Sequence, residues 1–144
     1  MFYGSYEHNI DKKGRLIIPS KYREELGENC VICKGIYGNP HLTVYSNEQW
    51  DELAKRILSY PIAKSNNVRH RIFDTAFDLE FDTQGRILIP PVLRTHAALE
   101  GTVHITGMGS KIELWNPEQW SIECEAIEKD ENQTIAPILE ELNF

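Results

Sequence analysis

Bulky side chains alternate with acidic or amide side chains along two stretches of the chain. The first is Tyr6–Ile10 and the second is Phe77–Phe81, and in both the intervening residues are Glu, Asn or Asp. A period of two is typical of a β-strand with one buried face. A run of three branched aliphatic residues follows each stretch, at 16–18 and 87–89, and is ended by proline, which cannot donate to a sheet ladder. The pattern therefore predicts two similar β-hairpins.

The hairpins belong to a longer repeated motif. The motif reads Asp-x-x-Gly-Arg, then three aliphatic residues, Pro, three further residues and Arg. It occupies 11–23 and recurs 71 residues later at 82–94. The likeness continues downstream, where 112–120 matches 42–50 at a spacing of 70. Asp accepts hydrogen bonds from nearby backbone N–H groups and Gly tolerates positive φ, so Asp-x-x-Gly predicts a tight turn. The chain is a duplicated domain.

Each motif is followed by the same predicted elements. Short helices are expected at 20–27 and 92–99, further strands at 30–34, 42–45 and 103–106, and longer amphipathic helices beyond Ser46 and from Pro117. Residues 64–71 are polar and basic, which is typical of a connector with partial helical character. Residues 134–144 have the spacing of a short amphipathic helix.

Size and charge limit how the repeats can be arranged. Each repeat alone would be marginal, because a domain of about 60 residues buries only roughly 60% of its unfolded surface. We therefore expect the two repeats to share one core. The net charge is −7, with +3 on residues 1–72 and −10 on residues 73–144. An acidic total argues against indiscriminate binding to polyanions, although a local basic patch can still bind one.

The candidate functional residues are basic and lie in and after the first turn. They are Lys12, Lys13, Arg15, Lys21 and Arg23. Lysines neutralise DNA phosphates, and arginine can make a bidentate contact to guanine O6 and N7 in the major groove. The alternative is a solvated turn in which Arg15 serves only to bridge Asp11.

The second turn is a weaker candidate for the same role. Arg86 occupies the position of Arg15, but Thr83 and Gln84 add no charge where the first turn has two lysines. Acidic residues also lie close by at Asp78 and Glu80. We therefore expect the two turns to do different jobs, with Arg86 less favoured as a DNA contact.

The spacing of reactive residues supports no other chemistry. Cys30 and Cys33 lack a second ligand pair for zinc, and residues three apart in a strand face opposite sides of a sheet. The sequence 107–109 (Gly-Met-Gly) is expected to be a hairpin turn rather than a phosphate loop. The histidines are scattered, and no nucleophile–base or metal-ligand motif occurs.

The sequence predicts no enzyme, no cofactor, no metal and no small-molecule substrate. Without a signal segment or long apolar run, it predicts a soluble cytoplasmic protein that does not enter a membrane.

Residues 1–19 resemble the N-terminus of the MraZ family of bacterial transcriptional regulators. Residues 80–91 and 112–116 resemble the corresponding parts of that family's second repeat. The resemblance implies an α+β, β-rich fold with an internal pseudo-two-fold axis. Its two tandem AbrB-like swapped-hairpin (β-barrel) modules would span 5–47 and 76–119, each followed by an amphipathic helix.

The resemblance also implies a function. Family members bind direct repeats in double-stranded DNA upstream of the bacterial division and cell-wall gene cluster, as homo-oligomeric rings of several subunits associated with the nucleoid. The family's DNA-contacting loop corresponds to residues 11–15, so Lys13 and Arg15 would make the contact and Lys12 would meet phosphate. The remaining alternative is a structural or protein-interaction scaffold without DNA readout, in which the same basic residues face solvent or a protein interface.

Overall fold

The computed structural model describes all residues, 1–144. The strands are β1 (Ser5–Ile10), β2 (Arg15–Ile17), β3 (Asn29–Lys34), β4 (Leu42–Ser46), β5 (Phe77–Glu80), β6 (Arg86–Leu88), β7 (Gly101–Gly107) and β8 (Ile112–Trp115). The helices are α1 (Ser20–Leu26), α2 (Asn47–Leu58), α3 (Ile62–Phe73), α4 (Pro91–Ala97), α5 (Pro117–Lys129) and α6 (Ala136–Glu141). A π-helical turn, Glu131–Ile135, lies between α5 and α6. The expected connector at 64–71 is part of α3, so the link between the repeats is helical.

All eight strands form one antiparallel sheet. Their order is β5-β3-β4-β8-β7-β1-β2-β6, and the sheet curls into a nearly closed barrel. The two strands at its ends, β5 and β6, are the two arms of the second hairpin, and Asp82 N donates to Arg86 O (2.9 Å) between them. The α+β fold class expected from the resemblance is confirmed.

The two repeats exchange strands within this sheet. The first strand of repeat 1, β1, pairs along its full length with β7 of repeat 2, and β5 of repeat 2 pairs with β3 of repeat 1. The pseudo-two-fold axis passes between β2 and β6, where Leu16 lies opposite Ile87 and both side chains are fully buried. Pairing across the repeats explains why neither repeat needs a core of its own.

The main core contains buried residues of both repeats, as expected from their size. Nineteen buried residues form one cluster that includes Ile18, Tyr22, Ile89 and Leu93, the matching residues of the two motifs. Burying a large aliphatic side chain contributes about 1.5–3 kcal/mol, so the stability of each repeat depends on the other. The module boundaries at 5–47 and 76–119 stay a prediction.

A smaller cluster lies on the other side of β3 and β4, under α2 and α3. It contains Cys33, Tyr45, Ile57 and Ile72. Cys30 belongs instead to the main cluster, so the two thiols face opposite sides of β3 as expected. Burial raises the pKa of Cys30 to about 12 and also raises that of Cys33. The two cysteines are therefore packing residues and cannot share a ligand.

Candidate nucleic-acid interface

The first turn, Asp11–Gly14 (turn 1), is held by the side chain of Asp11. Its Oδ1 accepts hydrogen bonds from the backbone N–H groups of Lys13 (3.0 Å) and Arg15 (2.9 Å). Gly14 N donates to Asp11 O (3.0 Å), and Gly14 has a φ of +94°, which favours glycine. The Asp-x-x-Gly pattern therefore forms the tight turn that the sequence predicts.

Arg15 closes the base of turn 1. Its Nε donates to Asp11 Oδ2 at 2.6 Å, and its side chain remains 35% exposed. Hydrogen bonding from the Arg15 backbone N–H, reinforced by the Arg15 side chain, holds the pKa of Asp11 at about 2 although desolvation acts to raise it. The ion pair uses Nε, so both Nη groups of Arg15 remain available as donors. The bridging role and a DNA contact are therefore compatible.

Lys12 and Lys13 occupy the tip of turn 1. Both are exposed, and neither forms an ion pair with a carboxylate of the chain. Together with Arg15 they place three positive charges on turn 1. The one carboxylate in the turn, that of Asp11, is paired with Arg15. Such a turn suits an approach to the phosphates and base edges of a DNA groove.

The second turn, Asp82–Gly85 (turn 2), has the same backbone geometry and a different charge. Arg86 Nε donates to Asp82 Oδ2 (2.7 Å), and Asp82 Oδ1 accepts from the backbone N–H groups of Gln84 and Arg86. The pKa of Asp82 is lowered, chiefly by the backbone hydrogen bond from Arg86. The cleft beside turn 2 is lined by Arg23 and by three acidic residues: Glu28, Glu80 and Asp82. Turn 2 has the backbone geometry of turn 1 but no basic residue at its tip, so it is much less suited than turn 1 to binding a polyanion.

The strands that follow the two turns form a two-stranded ribbon with an exposed outer face. Arg15 lies opposite Leu88 and Ile17 lies opposite Arg86 in the β2–β6 ladder. Ile17 is 44% exposed and Leu88 is 55% exposed, whereas Leu16 and Ile87 between them are buried. Each aliphatic triplet is one continuous run in the sequence, but its middle residue points outward because a strand alternates its faces.

The five candidate basic residues do not all lie at turn 1. Lys21 is exposed on α1 and its Nζ lies 3.4 Å from the ring centroid of Tyr3. Arg23 donates through Nε to Ile18 O (2.9 Å) and packs against Gly85 of turn 2. The structure therefore brings Lys12, Lys13 and Arg15 together and places Arg23 at the opposite turn. A DNA contact by any of the five stays a prediction.

Arg94 also lies beside turn 1 and is not among the five predicted site residues. It is the repeat-2 counterpart of Arg23, and its Nε donates to Ile89 O at 2.9 Å. Its guanidinium packs against Gly14. The motif aligns the two arginines, but periodicity carries no signal that each one crosses to the turn of the other repeat.

One further group of polar residues is buried, at the β4–β8 pair. His41 Nε2 lies 3.4 Å from Glu113 Oε2, and Trp115 Nε1 donates to Glu113 Oε1 (3.0 Å). The His41 and Trp115 rings stack with centroids 4.2 Å apart. Burial acts to raise the pKa of Glu113, but His41, Trp115 and Lys111 together lower it below its ordinary value. This group joins the repeats and lies in none of the surface clefts beside the turns.

A family model described as "MraZ protein, putative antitoxin-like" matches residues 1–69 and 72–136. The chain belongs to the MraZ family. A protein named Transcriptional regulator MraZ from Acetivibrio thermocellus is 41% identical over 145 residues, covering 99% of this chain and 96% of the relative. One of the same name from Halothermothrix orenii is 41% identical and covers all of both chains. A third, from Herpetosiphon aurantiacus, is 45% identical over 83% of this chain and 84% of its own length.

Among solved structures, a solution structure from Pyrococcus horikoshii is similar to 79% of this chain and 88% of its own, at 17% identity and a TM-score of 0.35. A similarity this weak supports no argument. None of the helices combines the length and the apolar character needed to cross a membrane.

Proposed function

We propose that this protein is a sequence-specific DNA-binding transcriptional regulator that contacts DNA through turn 1. The observation that carries the proposal is the arrangement of Lys12, Lys13 and Arg15, in which two lysines are free and the arginine is oriented by Asp11. Lys12 and Lys13 would neutralise phosphates, and the Arg15 Nη groups would meet a guanine edge. The names of the relatives support the same class of function.

The proposed operator is a set of direct repeats upstream of the division and cell-wall gene cluster, including the protein's own gene. One turn gives a small contact, whose affinity alone would be weak. A ring that presents one turn 1 per subunit to successive repeats converts each later contact into an intramolecular one, which can raise overall binding by orders of magnitude. The proposed location is the nucleoid, within the cytoplasm.

The helices that follow each repeat supply surfaces that could build such a ring. We define arm 1 as residues 47–73 and arm 2 as residues 116–144. Arm 1 holds five Lys/Arg and three Asp/Glu, whereas arm 2 holds one Lys and eight Asp/Glu. Opposite charge on two different surfaces favours head-to-tail contacts, and such contacts close into rings when the rotation allows it.

Exposed apolar side chains accompany the opposite charges. On arm 1 they include Leu58, Tyr60 and Ile62, and on arm 2 they include Ile122 and Ile127. Neither α5 nor α6 has a buried residue within the single chain. We propose that arm 2 of one subunit packs on arm 1 of the next, which would bury these side chains.

Charge reversal on arm 1 tests the assembly. We expect the double variant Lys55→Glu/Arg56→Glu to shift the protein to smaller species in size-exclusion chromatography with light scattering. The control is Glu48→Lys on the same helix, which makes arm 1 more basic and should keep the assembly intact. An unchanged mass for the double variant would contradict this interface.

The DNA function is tested by fluorescence anisotropy with a duplex from upstream of the protein's own gene and a scrambled duplex of equal composition. We expect the wild-type protein to bind the first duplex more tightly at physiological salt. We expect the Lys55→Glu/Arg56→Glu variant to discriminate less between the two duplexes. Equal binding to both duplexes by the wild-type protein would refute the DNA function and favour the scaffold function. If the Lys55→Glu/Arg56→Glu variant forms smaller species but discriminates as well as the wild type, only the need for a ring is refuted.

A further inference from the structure

We propose that Arg94 is a positioning residue for DNA binding: although it belongs to repeat 2, it fixes the turn through which repeat 1 contacts DNA. The inference rests on the proposed function of turn 1. Arg94 lies on α4, and its Nε donates to Ile89 O, which anchors the guanidinium beside β6. The Ile89 N–H in turn donates to Gly14 O (2.8 Å), so the end of β6 is bonded directly to turn 1.

The contact between Arg94 and Gly14 is close. A Cβ atom at Gly14 would lie 2.5 Å from Arg94 Nε and 2.7 Å from its Cζ, so the guanidinium occupies the space that any side chain there would need. The positive φ of Gly14 gives a second reason for glycine at this position. The planar guanidinium therefore forms one wall of turn 1.

The position of this wall bears on the DNA contact. Gly14 separates Lys13 from Arg15, so a shift of the Gly14 peptide changes the direction of both side chains. Contacts to base edges tolerate little misplacement, because a binding group must be held within about 0.5 Å of its productive geometry. Without Arg94, turn 1 would keep its Asp11 hydrogen bonds and its ion pair but would lose the surface against which it rests.

The pseudo-two-fold axis relates turn 1 to turn 2, and turn 2 supplies the control. Arg23 Nε donates to Ile18 O (2.9 Å), Ile18 N donates to Gly85 O (3.2 Å), and the Arg23 guanidinium packs against Gly85. Each arginine thus supports the turn of the other repeat with the same set of contacts. Only turn 1 carries lysines at its tip. Because Arg23 is itself a candidate DNA contact, the control loosens turn 2 through Asp82, whose Oδ1 accepts from the backbone N–H groups of Gln84 and Arg86.

The experiment compares Arg94→Ala, Arg94→Lys and Asp82→Ala in the protein. Amide hydrogen exchange is followed at Ile89 and Ile18, and binding is measured on the upstream and scrambled duplexes. We expect Arg94→Ala to speed exchange at Ile89 and to weaken binding to the upstream duplex by roughly 3- to 30-fold. Asp82→Ala should speed exchange at Ile18, whose N–H donates to Gly85 of turn 2, and leave DNA binding near the wild-type value.

Arg94→Lys separates positioning from direct charge. It keeps the positive charge and removes the planar guanidinium, so a positioning role predicts reduced binding with an unchanged salt dependence. Wild-type affinity for Arg94→Lys would overturn the proposal, because charge alone would then suffice. Equal loss of binding in Arg94→Ala and Asp82→Ala would also overturn it, since general destabilisation would explain both.

The result for the wild-type protein distinguishes this inference from the proposed function. If the wild type discriminates the two duplexes and Arg94→Ala does so equally well, only the role of Arg94 fails. If the wild type itself does not discriminate them, the DNA function fails and the positioning role fails with it.

Discussion

The Nε of Arg15 lies 2.6 Å from Oδ2 of Asp11, and this ion pair closes the base of turn 1. Both side chains are about one-third exposed. An exposed ion pair contributes little to stability by itself. Its main effect here is orientation, because a guanidinium bound through Nε can direct its two Nη groups away from the turn. The carboxylate that offsets one positive charge thus gives Arg15 a fixed direction.

Removal of the Asp11 carboxylate should therefore weaken DNA binding, although it makes turn 1 more positive. We expect Asp11→Ala to lose affinity for the upstream duplex by several-fold, because two backbone hydrogen bonds and the Arg15 brace are lost. Asp11→Asn keeps an acceptor at Oδ1 and should lose less. The measurement is fluorescence anisotropy, with Asp82→Ala in turn 2 as the control that should bind normally. Tighter binding by Asp11→Ala would show that net charge, and not the geometry of turn 1, governs affinity.

The Asp11 carboxyl should titrate far below an ordinary aspartate. Its pKa of about 2, against 3.8 for a free side chain, is lowered mainly by the backbone N–H of Arg15. A carboxyl with a lowered pKa stabilises the fold above its unfolded pKa, and this contribution is lost as pH falls through the folded value. The turn should accordingly stay closed at pH 5, and its contribution to stability should fall below about pH 4 and be lost near pH 2.

Carbon-detected NMR titration of the Asp11 carboxyl measures this directly. We expect a midpoint near 2 in the wild type and a higher midpoint in Arg15→Ala, which loses the side-chain hydrogen bond and the charge. An ordinary midpoint in the wild type would mean that the turn is open in solution.

Lys12 and Lys13 should act through charge without specificity. We expect Lys12→Ala to weaken binding to both duplexes by a similar factor and to lower the slope of log affinity against log salt by about 1 per engaged subunit. Lys13→Ala should lower the slope by a similar amount. Salt titrations by anisotropy give the slopes, and Thr83→Ala in turn 2 is the control. An unchanged slope in both lysine variants would place the phosphate contact elsewhere.

The His41–Glu113 pair should matter for stability and not for DNA binding. His41 Nδ1 donates to Asn39 O (2.9 Å), which can only accept, and His41 Nε2 lies 3.4 Å from the Glu113 carboxylate. Loss of one partner of a buried pair costs about 3–5 kcal/mol. We expect a loss of this order for Glu113→Ala in urea unfolding at pH 7.

The pH dependence of this pair follows from the lowered pKa of Glu113. The stabilisation is present above the ordinary glutamate pKa and is lost as pH falls through the lower folded value. The stability difference between wild type and Glu113→Ala should therefore shrink as the pH is taken below about 4. A difference that stays constant with pH would assign the loss to packing against Trp115 alone.

Much of the fold could be predicted because its signals are local. The alternation in Tyr6–Ile10 and Phe77–Phe81, the two Asp-x-x-Gly turns and the capping residue Ser46 all act within a few residues. The shared core followed from the size of each repeat. The exchange of β1 and β5 between repeats is a pairing of residues far apart in the chain, and it was expected only through the family resemblance.

The candidate site could be predicted less fully. Lys12, Lys13 and Arg15 are contiguous with their turn, so the sequence placed them correctly next to one another. Arg23 is only eight residues beyond Arg15, but β2 carries the chain to the opposite turn, and the Arg23 guanidinium packs against Gly85. Conversely Arg94, distant in sequence, lies against Gly14. Strand exchange makes sequence proximity a poor guide to spatial proximity after the first turn.

Sequence-specific binding as proposed depends on a base contact by Arg15. Anisotropy titrations of wild type and Arg15→Ala, on the upstream and the scrambled duplex at several salt concentrations, measure the strength of that contact. A base contact is worth roughly 1–3 kcal/mol of discrimination for each engaged subunit. We expect the wild type to prefer the upstream duplex and Arg15→Ala to bind both duplexes alike. If Arg15→Ala keeps the wild-type preference, Arg15 reads no base.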